Sequence, residues 1–150
     1  MAVDFEFGKA PSYRVAYVRW KGPWNDRKIR SRFESVDRWI RNHRMKAGKW
    51  IFLEPADRRW EAAIEVRGKP KGDGAVRVRT LKGGRVARVI FNPDKLSPRV
   101  VYHGLSDWLR WRKKEKEIRR VVSSREVYSG NPWTDKKAWS KTEVQFLVKP

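Results

Sequence analysis

The chain has 150 residues, a length suited to one domain around a single buried core. It has no cysteine and only two histidines, which excludes disulfides, thiolate metal sites and a cysteine nucleophile and disfavours a histidine-based metal site. The N-terminal residues lack a signal-peptide pattern, and no apolar run is long enough to span a membrane. We therefore predict a cytoplasmic protein without membrane contact, metal or cofactor; the sequence leaves the oligomeric state open.

The charge and the aromatic content are both unusual. Lys and Arg number 37 against 17 Asp and Glu, giving a formal net charge of +20, and nine tryptophans stand among the aromatic residues. Basic charge interleaved with aromatic side chains is typical of nucleic-acid binding. Basic residues are, however, spread over predicted strands (Arg77, Arg79), loops (Lys71) and helices. This spread favours a solvated basic surface over a dedicated nucleic-acid site.

The first half of the chain predicts a strand, a helix and two further strands, with an additional strand at residues 3–7. Residues 14–20 alternate apolar and polar positions, as strands do, and run into a Gly-Pro turn. The following helix is capped by Asn25 or Asp26 and is expected to end near residues 47–48. Its apolar stripe is Ile29, Phe33, Val36 and Ile40, and the closing strands are predicted within 50–55 and at 60–66.

The second half repeats this order. A strand at 75–81 precedes an alternating strand at 85–91 and a turn containing Asn92-Pro93-Asp94. Ser97 and Pro98 supply an N-cap and a first-turn proline for a second helix. Its expected stripe is Val101, Leu105, Trp108 and Arg112, followed by an extended segment at 126–132 and a strand at 142–148.

A β-α-β-β unit therefore occurs twice, about seventy residues apart. We predict one α+β domain over 1–150, with repeats at 1–67 and 75–150 joined by a link at 68–74. Two such units related by a pseudo-two-fold axis would form one curved antiparallel sheet with both helices on one side. A ligand cleft is expected at the centre, on the concave side of the sheet where the two repeats meet.

The order of several segments resembles the GyrI-like small-molecule-binding domains over essentially the whole chain. In the first half these are residues 5–7, 10–19, 21–24, Trp39 and 59–66; in the second half they are 84–87, 108–109, 126–132 and 142–144. The resemblance implies a duplicated β-α-β-β fold with an aromatic-lined cleft that often carries a carboxylate. Such domains serve as effector-sensing parts of multidrug-responsive regulators, as gyrase modulators and as free-standing proteins, some of them similar to hydrolases that open cyclopropane-bearing compounds. We expect a stand-alone member, because no DNA-binding region precedes the domain.

Glu126 and Tyr128 are the main candidate site residues. They lie two apart on a predicted strand, so their side chains project from the same face. A carboxylate among aromatic rings is suited to act as a proton donor or acceptor, or as the counter-ion of a cationic ligand. The alternative is an exposed Glu126 paired with Arg125. Further candidate ligand-binding residues are Glu143, Gln145, Tyr17, Arg19, Trp39 and Trp108, with Glu61 a weaker candidate.

Three functions remain open from the sequence. The first is binding of a small hydrophobic or aromatic molecule for sensing, sequestration or detoxification. The second is hydrolysis of an electrophilic, cyclopropane-bearing molecule, with Glu126 or Glu143 activating water and Tyr128 donating a proton. The third is contact with nucleic acid, such as DNA, or with gyrase through the positive charge.

Overall fold

The computed structural model describes residues 3–56, 58–68 and 70–150. Lys69, in the predicted link, lies outside the described residues. The strands are β1 (Glu6–Ala10), β2 (Tyr13–Lys21), β3 (Ala47–Ala56), β4 (Arg59–Val66), β5 (Arg77–Leu81), β6 (Gly84–Phe91), β7 (Arg120–Tyr128) and β8 (Thr142–Lys149). The helices are α1 (Asp26–Asn42), α2 (Pro98–Lys114) and α3 (Lys136–Ser140).

The eight strands form one curved antiparallel sheet in the order β1-β6-β8-β7-β3-β4-β2-β5. This confirms the predicted α+β class. Exchanging each of the first four strands with the strand four places later gives the same order read from the opposite edge of the sheet, as expected for a duplicated unit. The first strand of each unit pairs with the other unit, β1 with β6 and β5 with β2. β3 and β7 join the halves at the centre, and Phe52 pairs with Glu126 in the middle of their shared register.

Both long helices pack on the same face of the sheet. The apolar stripe of α1 packs on β2, β3 and β4, and that of α2 packs on β6 and β8. A third buried cluster, which includes Val15, Ile51 and Val127, covers the opposite face without a helix. The sheet therefore buries side chains on both faces. Because side chains alternate along a strand, only every second strand residue faces the helices.

Two details of the helices differ from the sequence-based expectation. α1 ends at Asn42 rather than near 47–48, because Arg44 adopts a left-handed conformation (φ 55°) and β3 already begins at Ala47. In α2 the buried residues are Val101, Leu105 and Leu109. Trp108 is only partly buried against this cluster, and Arg112 forms an ion pair with Glu117 instead of contributing to the buried stripe.

The strand boundaries also shift. β1 and β5 begin a few residues after the predicted starts, and β7 begins at Arg120 and ends at Tyr128 instead of covering 126–132. Residues 129–135 form turns, and the short helix α3, which the sequence analysis did not predict, follows them. Asp135 caps α3 by accepting a hydrogen bond from the backbone N–H of Lys137 (2.9 Å).

Candidate functional site: an aromatic cavity with a central carboxylate

A cavity of about 700 Å³ lies between the two long helices, on the helix-bearing face of the sheet. Its floor comes from the central strands β3 and β7, and its walls come from the first turns of α1 and α2 and from the segment around α3. The sequence analysis expected a groove on the side of the sheet opposite the helices, and this cavity lies instead on the helix-bearing side. Residues from the starts of both long helices line the cavity, whereas the other face of the sheet buries its own cluster of side chains.

Glu126 lies at the centre of the cavity floor and is half-buried. Its Oε1 accepts a hydrogen bond from the Tyr102 hydroxyl of α2, and its Oε2 accepts one from the Tyr128 hydroxyl, both at 2.6 Å. Hydrogen bonds from hydroxyl groups to a carboxylate are short and strong. The two phenols therefore hold the carboxylate in one orientation, while its remaining lone pairs stay available to a ligand.

The environment of Glu126 keeps both phenols protonated. Burial, the negative charge of Glu126 and the hydrogen bond to it raise the pKa of Tyr102 and of Tyr128 well above the usual value for tyrosine. A phenolate at either position would be poorly solvated and next to a carboxylate. Tyr102 and Tyr128 thus remain neutral donors over the whole physiological pH range.

Aromatic rings form most of the remaining wall. Phe52 lies beside Glu126 in the sheet register. Trp24 packs edge-on against the Phe52 ring, with 5.5 Å between the ring centroids. The rings of Phe33 on α1 and Trp133 pack together, with 5.7 Å between their centroids. Phe91 and Trp139 close the other side. The cavity is therefore apolar apart from Glu126, its two phenols and a few groups such as Asp26 and Glu54.

Local sequence features position these rings. Asn25 caps α1 through a hydrogen bond from the backbone N–H of Lys28 (3.0 Å), which places the first turn of α1 at the cavity. Pro98 opens α2 and lies one turn before Tyr102, so both face the same side. The Trp24 indole N–H donates to Asp26 (2.8 Å), and that of Trp139 donates to Asp94 (2.9 Å). These bonds fix the two rim tryptophans.

Of the residues singled out from the sequence, Glu126 and Tyr128 line the cavity and project from the same strand face. Arg125, the alternative partner of Glu126, instead points to the opposite face and donates to Gln145 (3.0 Å). Gln145 in turn donates to Glu143. Glu143 and Gln145 lie on the helix-free face because side chains alternate along β8, and Val144 between them contacts α2.

The other four candidates also lie outside the cavity lining. Tyr17 belongs to the buried cluster on the helix-free face, and Arg19 lies on that face beside Glu61. Trp39 packs at the edge of the α1 core and donates its indole N–H to Asp73. Trp108 packs against Phe7 at 4.8 Å. Both tryptophans lie in the second half of their helices, away from the cavity at the helix starts.

Glu61 is fully buried on the helix-free face and forms ion pairs with Arg19 (2.6 Å) and Arg79. The Arg79 guanidinium also lies 4.5 Å from the Tyr17 ring centroid. The hydrogen bond to Glu61 and the charge of Glu61 raise the pKa of Arg19. This cluster joins three neighbouring strands, β2, β4 and β5, and its carboxylate has no access to the cavity.

Several cavity residues are not among the candidates predicted from the sequence, Tyr102 above all. Tyr102 lies four residues after Pro98, which opens α2, and outside the apolar stripe of that helix. This position could have indicated a side chain that faces the cavity and not the core. Trp24 and Trp133 each follow a proline in a turn, and turn aromatics near a predicted site were a second usable signal. Phe52 could not be recognised, because its role depends on the pairing of β3 with β7.

In the described part of the chain, no group of three or more His, Asp or Glu side chains is arranged to hold a metal ion. None of the helices in that part combines the length and apolar character that a membrane crossing requires.

Neither a family model nor a curated protein matches the chain. Solved structures do. The EcmrR C-terminal domain superposes with a TM-score of 0.74 at 18% identity, covering 99% of each chain. Within a complex of EcmrR with DNA the TM-score is 0.77 at 17% identity; the match covers 98% of this chain and 57% of that one, so this chain spans little more than half of that regulator.

Two more distant structures share the fold. A hydrolase encoded by lin2189 from Listeria innocua has a TM-score of 0.60 at 13% identity, with 97% of this chain and 91% of that chain covered. SAV2435 bound to tetraphenylphosphonium has a TM-score of 0.51 at 13% identity, with 97% and 94% covered. These likenesses show that the chain shares the fold of these proteins, which is consistent with the resemblance to the GyrI-like domains seen in the sequence.

Proposed function

We propose that this protein binds an aromatic organic cation in the cavity between α1 and α2, with Glu126 as the counter-ion. The observation that carries the proposal is the Glu126 carboxylate, held by two phenol hydroxyls at 2.6 Å inside a cavity walled by aromatic rings. A hydrogen-bonded carboxylate among aromatic rings is complementary to a monovalent cation with an apolar body.

The electrostatics of the cavity support a cationic ligand over an anionic or neutral one. No Lys or Arg among the described residues forms an ion pair with Glu126, and the hydrogen bonds to its carboxylate come from the neutral hydroxyls of Tyr102 and Tyr128. A half-buried carboxylate without a cationic partner gains most from a ligand that brings a positive charge. An anionic ligand would meet repulsion from Glu126.

The dimensions of the cavity suit a ligand of drug-like size. A volume of about 700 Å³ lies within the usual range of roughly 300 to 1,000 Å³ for small-molecule sites. The wall residues Phe33, Phe52 and Trp133 offer ring faces and edges without further charge. SAV2435, which has the same fold, was solved with tetraphenylphosphonium, an aromatic cation, and this makes tetraphenylphosphonium a suitable first probe.

Titration calorimetry with tetraphenylphosphonium tests the proposal. We expect Glu126→Gln to weaken binding by about 10- to 100-fold, because the substitution keeps the size of the side chain and removes its charge. Binding of triphenylphosphine oxide, a neutral probe with similar rings, should be the same in both proteins.

Glu143→Gln provides the matched control. Glu143 is a carboxylate on the helix-free face of β8, and its substitution should leave the affinity for tetraphenylphosphonium unchanged. Equal binding of tetraphenylphosphonium by the wild type and Glu126→Gln, or equal losses in Glu126→Gln and Glu143→Gln, would refute the assignment of Glu126.

Hydrolysis of an electrophile at the same site is the competing function. It requires a water molecule activated by Glu126 and a proton donated by a phenol to the opened ring. The raised pKa of Tyr102 and of Tyr128 makes both phenols weaker acids than usual, which favours binding over proton transfer. Incubation with a cyclopropane-bearing alkylator and mass spectrometry of the products distinguishes the two: a ring-opened product that disappears in Glu126→Gln would establish an enzyme.

A further inference from the structure

A second surface stands out at the C-terminal end of α2, far from the cavity. Residues 110–120 contain seven basic and two acidic side chains, a net charge of +5 in eleven residues of a chain whose total is +20. Lys113, Lys114 and Lys116 are exposed, and none of them takes part in an ion pair within the described part of the chain. We call residues 110–120, together with Lys9, Arg85 and Lys149, the basic end.

Contacts in the structure bring these separate segments together. Arg85 on β6 pairs with Lys9 on β1 and donates to the carbonyl of Glu117 (3.4 Å). Arg120 pairs with Lys149 across β7 and β8. The basic end is therefore one continuous surface built from one helix end and four strands. Basic residues in the last turn of a helix are common because they interact favourably with its carbonyls, but most of these residues lie beyond that turn.

An exposed tryptophan lies within this surface. Trp111 has 54% of its surface accessible. The Arg112 guanidinium lies 5.0 Å from the Trp111 ring and 4.9 Å from the Trp108 ring, and it is held by Glu117 at 2.8 Å. These contacts hold the Trp111 indole on the surface in a defined position. Proteins that bind single-stranded nucleic acid combine exposed aromatic rings, on which bases stack, with basic side chains that contact phosphates. An accessible indole surrounded by lysines has this combination.

The end of α1 lacks this combination, although it is also basic. Trp39 there is half-buried, stacks on His43 at 4.1 Å and donates to Asp73. Asp37 pairs with Arg41 at 3.3 Å. The aromatic ring and part of the charge are thus already engaged within the protein, so the end of α1 serves as an internal comparison.

We infer that the basic end binds single-stranded nucleic acid, with Trp111 stacking on a base and the surrounding lysines and arginines contacting phosphates. The surface is separate from the cavity: Lys113 lies eleven residues after Tyr102, or about 16 Å along the helix axis. It therefore does not depend on the function proposed for Glu126.

Fluorescence anisotropy of a labelled twenty-nucleotide oligothymidylate tests this inference with the intact chain. Affinity should fall steeply between 50 and 300 mM NaCl, since each phosphate contact on a single strand contributes a slope of about 0.7 to the log–log salt dependence. Lys113→Gln/Lys114→Gln/Lys116→Gln should reduce that slope by about 2 and weaken binding roughly 100-fold at 0.1 M salt. Trp111→Ala should weaken it by about 5- to 100-fold, and Trp111→Phe by much less.

Arg38→Gln/Arg44→Gln/Lys46→Gln is the matched control at the end of α1. It removes the same charge from a corresponding position, and Arg44 shares the left-handed backbone of Lys116 (φ 55° and 62°). Oligonucleotide affinity should change less than threefold in this variant. Both triple variants should bind tetraphenylphosphonium as the wild type does, which shows that they fold and separates this inference from the proposed function.

Three results would overturn the inference. One is the absence of oligonucleotide binding at 50 mM NaCl. Another is an equal loss of binding in the two triple variants, which would mean that net charge and not the basic end is responsible. The third is a clear preference for vesicles of 70% phosphatidylcholine and 30% phosphatidylserine over the oligonucleotide, lost in Trp111→Ala, which would identify the surface as a membrane contact.

Discussion

At the scale of single residues, two carboxylates lie in contrasting environments, one at the cavity and one buried among arginines. Glu126 receives two phenol hydroxyls and faces a cavity, whereas Glu61 is fully buried and paired with two arginines. Glu126 therefore remains able to attract a cation, and Glu61 does not. Residue type is the same at both positions, so the difference in chemistry comes entirely from the neighbours.

The raised pKa of Tyr102 and of Tyr128 predicts a loss of stability at alkaline pH. Above about pH 10 the tyrosines of the unfolded chain release protons that the folded protein retains, so the free energy of unfolding falls as pH rises. Two such groups contribute a slope of up to about 2.7 kcal/mol per pH unit. Urea unfolding between pH 9.5 and 11 should show this slope in the wild type.

Tyr102→Phe/Tyr128→Phe is the reference protein for that measurement. Its slope over the same pH range should be shallower by about the contribution of the two tyrosines, whatever its absolute stability. Parallel slopes in the two proteins would mean that the phenols titrate normally and are not coupled to Glu126.

At the scale of secondary-structure elements, the central strands and the helix starts define the cavity. β3 and β7 meet at the middle of the sheet and carry Phe52 and Glu126 side by side. The first turns of α1 and α2 supply the walls. On the other face, β2, β4 and β5 are connected by the ion pairs of Glu61 with Arg19 and Arg79. The cavity and the ion pairs that connect these strands thus lie on opposite faces of one sheet.

We predict that Glu61→Gln destabilises the fold by about 2 to 3 kcal/mol. Removing the buried charge leaves two arginines without their partner, and the cost is below the maximum for buried pairs because both arginines reach solvent. Glu143→Gln, at the corresponding place on β8, should cost less than about 1 kcal/mol because its side chain is half-exposed. Urea unfolding at pH 7 provides both values, and similar losses would contradict the special role of Glu61.

At the scale of the whole molecule, a net charge of +20 surrounds a cavity proposed to bind a cation. The surface charges repel an approaching cation, but salt screens this repulsion over about 8 Å at physiological ionic strength. The attraction by Glu126 acts at short range inside the cavity and is screened much less. The charged exterior and the ligand site are therefore compatible under cellular conditions.

This balance predicts opposite salt responses for the two proposed ligands. Raising NaCl from 20 to 300 mM should leave the affinity for tetraphenylphosphonium unchanged or slightly higher, while oligonucleotide affinity falls. Titration calorimetry at several salt concentrations measures the first response. A steep decrease in tetraphenylphosphonium affinity with salt would place that cation at an exposed acidic site instead of the cavity.

Much of the fold follows from the sequence alone. Strand alternation, the apolar stripe of α1 and the turns containing Gly and Pro are local signals, and they determined the order of elements and the fold class. The two-residue spacing of Glu126 and Tyr128 likewise fixed their common face, because side-chain alternation is a property of any strand.

Tertiary structure decided which face of the sheet holds the cavity and which residues reach it. Tyr17, Arg19, Glu143 and Gln145 fit a site by residue type, but the strand register turns them to the helix-free face. Tyr102 and Phe52 join Glu126 only through the packing of α2 and the pairing of β3 with β7. These contacts join residues that are far apart in sequence, and local patterns carry no information about the relative placement of such segments.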